Sequence, residues 1–491
     1  MSIRKSIAWL GSGQVASLVL QFGSSIVLAR FLSPKEMGIY AVAVAVAATL
    51  SIFQNFGLQA LIVREEVMTD ALKHTTFSVN CLSSLALSAA IALASVVLAH
   101  SFEEPGIRDV LLILAVCPIL SIPSFLPSAM FEREGRFGTI AAINAGSSIV
   151  QAAVTIVLVV LGHKYMSMAY GTVVSTVATS AMFLLWGREH RSARWTLSSW
   201  RRVSAFGLQI FLVTSTTSLS QRLSDILLGR LAGLGSLGLY NRAVSLGNIV
   251  WINIHGLMSR IVLTDMANLR RAEVPLRERY LQTVSMTLAL LWPAFAGMAV
   301  VARPFVVAIY GERWERAAGL LSYVCIASMI LVTITMVWEV FAVSNNLRIQ
   351  TRVEAVRLVV SIALLAAGAL ISVEAAAASR IPEAIVACFL YRPHLNRITD
   401  TRFRDLRSAY WQGGVLTIGA ILPAAVLMLT TTRAQQTPLL LGIVVVAGVG
   451  LWVAMLFRLG HPLATEIGKI AAAASTRLRS PRRRLTRADG G

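Results

Sequence analysis

Long apolar runs, separated by short clusters of charged residues, dominate this sequence. Fourteen such runs can be drawn, and each can cross a hydrocarbon layer of roughly 30 Å as a helix that rises about 1.5 Å per residue. Only 14% of the 491 residues are charged and 56% are apolar, a composition typical of a polytopic membrane protein. The sequence therefore predicts an all-α membrane protein with about fourteen transmembrane helices. The runs are 6–29, 37–63, 76–99, 109–130, 139–161, 165–187, 203–229, 237–262, 280–302, 317–343, 355–373, 375–391, 409–431 and 437–458.

The positions of lysine and arginine predict the direction of each crossing. With both termini in the cytoplasm, and with Arg458 at the end of the last run counted as inner, 30 of the 44 basic residues lie on the inner side, 9 on the outer side and 5 within the helices. Loops that stay in the cytoplasm carry such an excess of basic residues. Thirteen crossings would place half of the basic loops on the wrong side, so the distribution favours fourteen.

A repeat at an offset of 200 residues divides the chain. Residues 21–40 and 221–240 carry the same residue type at seven matching positions. An even number of crossings separates the two copies, so they have the same orientation. We expect two parallel six-helix repeats about an axis along the membrane normal, followed by two extra helices. The matching pairs are Gln21/Gln221, Ser24/Ser224, Ile26/Ile226, Leu28/Leu228, Arg30/Arg230, Gly38/Gly238 and Tyr40/Tyr240.

The longest inner connection, residues 188–202, separates six predicted helices from eight. It sets the predicted domain organisation, which has six parts. They are an N-terminal six-helix lobe (1–187), a cytoplasmic linker (188–202), a C-terminal six-helix lobe (203–391), a cytoplasmic loop (392–408), helices thirteen and fourteen (409–458) and a basic cytoplasmic tail (459–491).

The repeated residues at the outer end of the first helix of each half predict structural roles. Arg30 and Arg230 are expected to reach lipid headgroups or to cap terminal carbonyls. We expect Gly38 and Gly238 to permit a tight re-entry of the next helix. The tyrosines that follow them, Tyr40 and Tyr240, are expected in the interfacial aromatic belt.

Polar side chains form a stripe on the seventh predicted helix and a thinner one on the first. Thr214, Thr217, Ser218, Gln221 and Asp225 recur at helical period. The first helix carries Gln14, Ser17, Gln21 and Ser25 in the same way. Polar groups are costly against lipid, so both stripes should face the protein interior, opposite each other across a central cleft. Hydrogen bonding between helices explains the serines and threonines equally well.

Five arginines lie within the predicted helices, where each costs roughly 2.5 to 3.5 kcal/mol unless it has a partner, water or an anionic ligand. Arg222 can pair with Asp225, and Arg380 with Glu383, each at a spacing of three residues. Two others, Arg260 and Arg357, lie near the inner boundary and are expected to extend toward water. The fifth, Arg242, lies one turn into the eighth helix beside Asn241 and is the best single candidate for contacting an anion.

Few acidic residues lie deep enough in the predicted helices to bind a coupling ion. Asp225 and Glu383 are the two candidates, although each also has an arginine neighbour. Glu339 lies about one turn from the inner end of the tenth predicted helix, and Glu374 lies in the outer turn between the eleventh and twelfth. The sequence therefore favours neither of these last two acids as an ion-binding residue.

Several function classes find no support in the sequence. The phosphate-binding G-x-x-x-x-G-K-[ST] pattern is absent, and no outer loop exceeds about fifteen residues, so neither an ATPase nor another enzyme is indicated. The four cysteines lie in apolar runs without metal-ligand spacing, and the sequence predicts no metal and no cofactor. The formal net charge of +20 is concentrated in inner loops, which indicates membrane orientation and not nucleic-acid binding.

Four segments give the chain a resemblance to a known family. They are "LARFLSPKEMGIYAVAVAV" at 28–46, "FGLQALIVRE" at 56–65, "FEREGRFGTIAAINAG" at 131–146 and "YGERWERAAGLL" at 310–321. In their order and spacing the chain resembles the polysaccharide transporter, or Wzx-type oligosaccharide flippase, branch of the multidrug/oligosaccharidyl-lipid/polysaccharide exporter superfamily. The resemblance implies a MATE-like fold.

The resemblance also implies a function. It is the movement of an undecaprenyl-diphosphate-linked oligosaccharide across the bacterial inner membrane, by alternating access, for exopolysaccharide, capsule or O-antigen synthesis. On this hypothesis Arg222 and Arg242 contact the diphosphate, and Gln21, Gln221 and Asn241 line the substrate path. The implied partners are the lipid-linked oligosaccharide, membrane lipids, and the polysaccharide polymerase and chain-length proteins.

Two other functions remain open at this point. A cation-coupled multidrug exporter of the same superfamily would line its cleft with acidic residues, which are not apparent here. A membrane scaffold of a polysaccharide assembly complex, which transports nothing, would tolerate the loss of Arg222 and Arg242.

Overall fold

The structure is a computed structural model of the full chain, and all of its described regular elements are helices. It describes residues 22–54, 57–65, 67–190, 194–201, 203–204, 207, 222–432 and 436–465. The basic tail beyond residue 465 and most of the first and seventh predicted helices, including Gln21 and Gln221, therefore lie outside the described residues.

The described helices of the first half follow the six apolar runs of that half and often extend past them. The helix α4, for example, is 33 residues long, about 50 Å at the usual helical rise, so it is longer than the hydrocarbon layer is thick. The helices are α1 (Phe22–Phe31), α2 (Pro34–Gln54), α3 (Leu58–Arg64), α4 (Asp70–Phe102), α5 (Pro105–Leu114), α6 (Cys117–Arg133), α7 (Phe137–Val160) and α8 (Met166–Trp186).

The second half begins with helix α9, at 222–231, after the residues that are not described. The apolar runs of this half are again helical, and some of them are split into two helices. The remaining helices are α10 (Leu234–Arg271), α11 (Arg277–Val300), α12 (Ala302–Tyr310), α13 (Glu315–Val332), α14 (Val337–Val343), α15 (Leu347–Ile371), α16 (Val373–Ala378), α17 (Arg380–Thr399), α18 (Phe403–Thr430) and α19 (Pro438–Arg458).

The all-α membrane architecture that the sequence predicts is confirmed. Ten segments of the described residues are long and apolar enough to cross a membrane, and Phe22–Phe31 is a shorter apolar helix. Most described residues of the apolar runs are helical, and the exceptions are run ends and short interruptions such as 115–116 and 333–336. The number of crossings, fourteen, stays a prediction.

The chain divides into two compact units. Unit 1 contains residues 1–241, 309–314 and 365–376, and unit 2 contains the rest of the chain. Unit 1 thus combines the first half with three pieces of the second: 203–241, 309–314 and 365–376. The sequence places the short connections within these pieces on the outer side of the membrane. The six-part domain organisation stays a prediction.

Candidate functional site

Within unit 1, helices α2 and α10 approach each other at their first turns, and two glycines make this approach possible. A side-chain carbon on Gly38 would lie 1.8 Å from the carbonyl oxygen of Leu234. On Gly238 it would lie 1.9 Å from the carbonyl oxygen of Pro34. Both glycines are buried. The two contacts are equivalent under the offset of 200, so the repeated glycines meet across a local two-fold axis that we call the glycine crossing.

The two helices of the glycine crossing begin in different ways. At the start of α2, the Ser33 backbone N–H donates to Glu36 Oε2 at 2.8 Å, and the Glu36 N–H donates to Ser33 Oγ at 3.3 Å. This reciprocal pair is a capping box, and Pro34 follows as the first helical residue. Ahead of α10 the chain turns at Gly233, whose φ of +88° favours glycine.

The glycine crossing corrects the roles expected for two of the repeated residue types. Gly38 and Gly238 lie inside helices and not in a re-entrant turn, so close approach of backbones is the reason for glycine. The aromatic-belt prediction is wrong for Tyr240, which is only 3% exposed. The Tyr40 side chain is half-buried, and its hydroxyl lies 3.1 Å from Thr172 Oγ1.

The end of helix α1 is held by the segment 309–314, also within unit 1. Arg30 Nε donates to the carbonyl oxygen of Ile309 at 3.0 Å, near the end of α12. This contact confirms that Arg30 caps a helix carbonyl, although the carbonyl belongs to another helix. The indole N–H of the fully buried Trp314 donates to the Ala29 carbonyl at 2.8 Å. Tyr310 places its hydroxyl 3.2 Å from Ser25 Oγ.

The residues predicted to bind substrate are only partly described. Arg222 and Asp225 lie on α9, and Asn241 and Arg242 lie one to two turns into α10; all four are half-buried. Half-burial leaves part of each side chain accessible to a ligand. The assignment of Arg222, Arg242, Asn241 and the two undescribed glutamines to the diphosphate or sugar stays a prediction, as does that of Asp225 to a coupling ion or an ion pair.

Glu383, a predicted coupling-ion or paired acid, lies in a cluster of charged groups within unit 2. Its side chain is 6% exposed, and its carboxylate lies 2.9 Å from Arg357 Nε and 3.5 Å from Arg380 Nη1. Arg357 also lies 3.2 Å from Glu354, whose Oε2 accepts a 2.5 Å hydrogen bond from the Tyr391 hydroxyl. We call these five residues the Arg357 cluster. Two arginines and two glutamates balance its charge.

The Arg357 cluster bears on two sequence predictions. The contact between Arg380 and Glu383 is present, as expected from their spacing. The expectation that Arg357 extends toward water is wrong, because its guanidinium bridges α15 to α17. Arg357 and Glu383 meet because α15 and α17 are antiparallel and pack with these two sides together. The hydropathy of the sequence does not show which sides of two helices pack together. The side chain of Arg260 lies outside the described residues.

One group of side chains among the described residues has the composition of a metal site. The possible ligand atoms of Glu134, Glu189 and His190 lie within 4.8 Å of one another. The guanidinium of Arg136 lies 2.9 Å from Glu189 and 3.6 Å from Glu134. Since this arginine already supplies a cation to both carboxylates, the arrangement is an ion-pair group at the C-terminal end of α6.

Comparisons with known proteins agree on a family and a fold. A family model described as "Polysaccharide biosynthesis protein" matches residues 27–319, more than half of the chain. Lipopolysaccharide biosynthesis protein WzxC of Escherichia coli (strain K12) is 21% identical over 336 residues, which cover 67% of this chain and 68% of that protein. Succinoglycan biosynthesis transport protein ExoT of Rhizobium meliloti (strain 1021) is 22% identical over 344 residues, 67% of each chain.

Among solved structures, lipid II flippase MurJ in an inward closed conformation is similar to this chain over nearly its whole length. The TM-score is 0.75, the identity is 12%, and the match covers 91% of this chain and 98% of MurJ. At this identity the likeness shows the fold alone.

Proposed function

This chain belongs to the polysaccharide biosynthesis protein family, and from that premise we propose that it is a flippase for a lipid-linked oligosaccharide. In detail, the proposed substrate is an undecaprenyl-diphosphate-linked oligosaccharide that moves from the inner to the outer leaflet of a bacterial inner membrane. Both termini would lie in the cytoplasm. The product would supply an exopolysaccharide, capsule or O-antigen, and the polysaccharide polymerase and chain-length proteins are proposed partners.

The observation that carries the proposal is the joint match to this family and to the MurJ fold. Relatives of the chain are named for lipopolysaccharide biosynthesis and for succinoglycan transport. The protein whose fold the chain shares over 91% of its length is named a lipid II flippase. A lipid-linked oligosaccharide flippase moves a polar headgroup past the hydrocarbon layer. This task requires a polytopic helical protein and no enzymatic lobe.

The charge of the proposed substrate supports transport without ATP. A diphosphate that carries about two negative charges outward is favoured by about 4.6 kcal/mol at an inside-negative potential of 100 mV, from roughly 2.3 kcal/mol per charge. On the way it needs cations within the membrane, and the proposed ones are Arg222 and Arg242. Gln21, Gln221 and Asn241 are proposed to bind the sugars.

The glycine crossing supports an alternating-access cycle in which one side is closed. It joins the start of α2 in the first half to the start of α10 in the second, on the side that the sequence assigns as outer. We propose that these two helix ends separate when the substrate headgroup leaves on that side.

The test is to delete the gene in its host and to measure in which leaflet lipid-linked intermediates accumulate. Accumulation in the inner leaflet, reversed by the wild-type gene, is the expected result. The variant with both Arg222→Ala and Arg242→Ala should fail to reverse it, whereas Arg352→Ala, which removes an exposed arginine, should succeed. Drug sensitivity with normal polymer would instead identify an exporter. Normal polymer output with the double variant, and no drug sensitivity, would identify a scaffold.

A further inference from the structure

A membrane helix of unit 2 is interrupted partway along its length. Helices α13 and α14 lie in one apolar span, yet residues 333–336 separate them. In this break the backbone N–H groups of Thr333, Ile334 and Thr335 bond to carbonyls only three residues back. Met336 then adopts a left-handed conformation with φ of 59°. Irregular backbone at membrane depth is tolerated where protein surrounds it, and interrupted helices commonly hold coupling ions.

Side chains from α17 and α18 stabilise the break. Arg392 Nη2 donates to the carbonyl oxygen of Thr333 at 3.0 Å, and the Tyr410 hydroxyl donates to the same oxygen at 3.4 Å. Arg392 also bonds to the Tyr410 hydroxyl and lies 5.9 Å from the centre of its ring. The positive charge of Arg392 is thus directed at a backbone carbonyl and a tyrosine.

Just beyond the break, Glu339 is buried without a counter-charge. The residue is 2% exposed. Its Oε1 accepts a hydrogen bond from Ser259 Oγ on α10, and its Oε2 has no hydrogen-bond partner. Thr335, four residues earlier and also 2% exposed, has a buried hydroxyl without a partner. No ion pair to Glu339 is found among the residues that the structure describes.

Glu383 is a second buried carboxylate of the same unit, and its surroundings differ. The two glutamates are similarly buried, at 2% and 4% exposure. Glu383 has an arginine on each oxygen, whereas Glu339 has one hydroxyl. An ionised carboxylate that is buried without a cation is strongly destabilising, so it takes up a proton instead.

We infer that Glu339 is a proton-binding site, and that it exchanges this proton with water during the transport cycle. The proton adds to the carboxylate to give the neutral acid, and it leaves as a hydrated proton when the surroundings of Glu339 open to water. A metal cation would need several oxygen ligands at once. The described surroundings offer one open carboxylate oxygen, which is what a proton needs. Its role in transport rests on the proposed function, but proton binding itself does not.

The other ionisable groups near the break do not neutralise Glu339 in this arrangement. His255, one turn before Ser259 on α10, lies within electrostatic range of Glu339 and stacks on Trp251 at 4.8 Å between ring centres. His394 on α17 packs against Phe341, with ring centres 6.5 Å apart. The described titratable groups at the break also include Arg392 and Cys388 on α17 and Tyr410 on α18. The side chain of Arg260, next to Ser259 on α10, lies outside the described residues.

Dicyclohexylcarbodiimide tests proton binding directly and needs no substrate. This apolar reagent reacts with a protonated carboxyl group. The carboxyl oxygen bonds to the carbodiimide carbon, and the acid proton moves to a carbodiimide nitrogen. The resulting O-acylisourea rearranges to a stable N-acylurea that peptide mass spectrometry locates. In the full chain reconstituted in lipid vesicles, we expect labelling at Glu339. Glu383 is the matched internal control, and we expect no label there.

The stability of two isosteric variants gives a second measurement. Glutamine resembles the neutral acid, so Glu339→Gln should shift Tm by less than about 2 °C, whereas Glu383→Gln should lower Tm clearly. Three results would each overturn the inference. They are no label at Glu339 at any pH, label at Glu383 to the same extent, and a Tm loss for Glu339→Gln as large as for Glu383→Gln. Sodium chloride and choline chloride are compared as additives. If only sodium chloride suppresses the labelling, the inference is overturned in favour of a sodium site.

The transport role is tested in the deletion strain. Glu339→Gln should be expressed and stable yet leave lipid-linked intermediates in the inner leaflet, while Glu278→Gln, an exposed acid at the start of α11, should restore transport. Normal transport by Glu339→Gln overturns the coupling role. If the deletion itself leaves the intermediates where they were, the proposed flippase function fails, and the labelling result is unaffected.

Discussion

The glycine crossing in unit 1 and the Arg357 cluster in unit 2 solve one problem, the close contact of membrane helices, in opposite ways. At the crossing, backbones meet because two residues have no side chain, and the contact occurs twice by symmetry. The cluster joins α15 to α17 through four charged side chains. The same offset of 200 leads from Arg357 and Glu383 to Val157 and Phe183, so the first half has no equivalent charges.

The difference teaches what each contact tolerates. The glycine crossing has no space for a side chain at either glycine. Any added side chain meets a backbone carbonyl, which cannot rotate away. The Arg357 cluster is limited by charge balance, so removing one member leaves an uncompensated ion, and removing an opposite pair does not. Single and paired substitutions therefore separate the two kinds of contact.

The largest effect is expected from a side chain at the glycine crossing. Gly38→Val and Gly238→Val should each yield no monodisperse protein after solubilisation, because the β-carbon alone would lie within 2 Å of a carbonyl oxygen. Fluorescence-detected size-exclusion chromatography measures this. The matched control is Gly235→Val on α10, where a β-carbon meets nothing within 4 Å. Normal elution of Gly38→Val would show that the helices separate at little cost.

Breaking the charge balance of the Arg357 cluster should have the next largest effect. Removal of one partner from a buried pair costs about 3 to 5 kcal/mol, and we expect this for Arg357→Met. The double variant Arg357→Met with Glu383→Leu should recover part of the loss, because the net charge of the cluster returns to zero. Unfolding in mixed micelles measures the free energies. A double variant as unstable as the single one would mean that geometry and not charge balance holds these helices.

A smaller effect on stability is expected when pH is lowered, through the protonation of His461. This buried residue of unit 2 lies after the end of α19. Its Nδ1 accepts the backbone N–H of Leu463 at 3.1 Å, so Nε2 carries the proton and donates to Ser285 Oγ at 2.8 Å. Burial lowers the pKa of this imidazole. The neutral form therefore belongs to the folded state, and its stabilising contribution is present above the unfolded-state pKa of about 6.5.

As pH falls below that value, His461 becomes protonated in the unfolded chain but stays neutral in the folded chain. The free energy of unfolding therefore falls by up to about 1.4 kcal/mol per pH unit. The loss continues until pH passes the lowered pKa of folded His461. The measurement is the free energy of unfolding against pH for the wild type and for His461→Gln. Subtracting one curve from the other removes the contribution of the other histidines. Parallel curves would contradict the assignment.

The sequence predicted the fold better than the site, for physical reasons that particular residues show. Apolar runs and basic loops depend on the membrane alone, so the helices could be found without knowing their neighbours. The repeat singled out Gly38 and Gly238 but not their purpose, because close approach depends on which backbone lies opposite. The sequence does not favour Glu339, because it lies near the end of a predicted helix. Its significance comes from the break at 333–336 and from the absence of a cation on its free oxygen, neither of which has a sequence signal.

The smallest effect is expected from the ion pair beside the glycine crossing. Lys35 Nζ lies 2.6 Å from Glu104 Oε2, and 64% of the lysine side chain is exposed. Exposed pairs gain little, because water and salt screen them and two long side chains lose freedom. Lys35→Met should therefore leave Tm unchanged within error at high salt and nearly so at low salt. Since this pair lies three residues from Gly38, a large loss would show that charge also holds the crossing, and the contrast with the Arg357 cluster would fail.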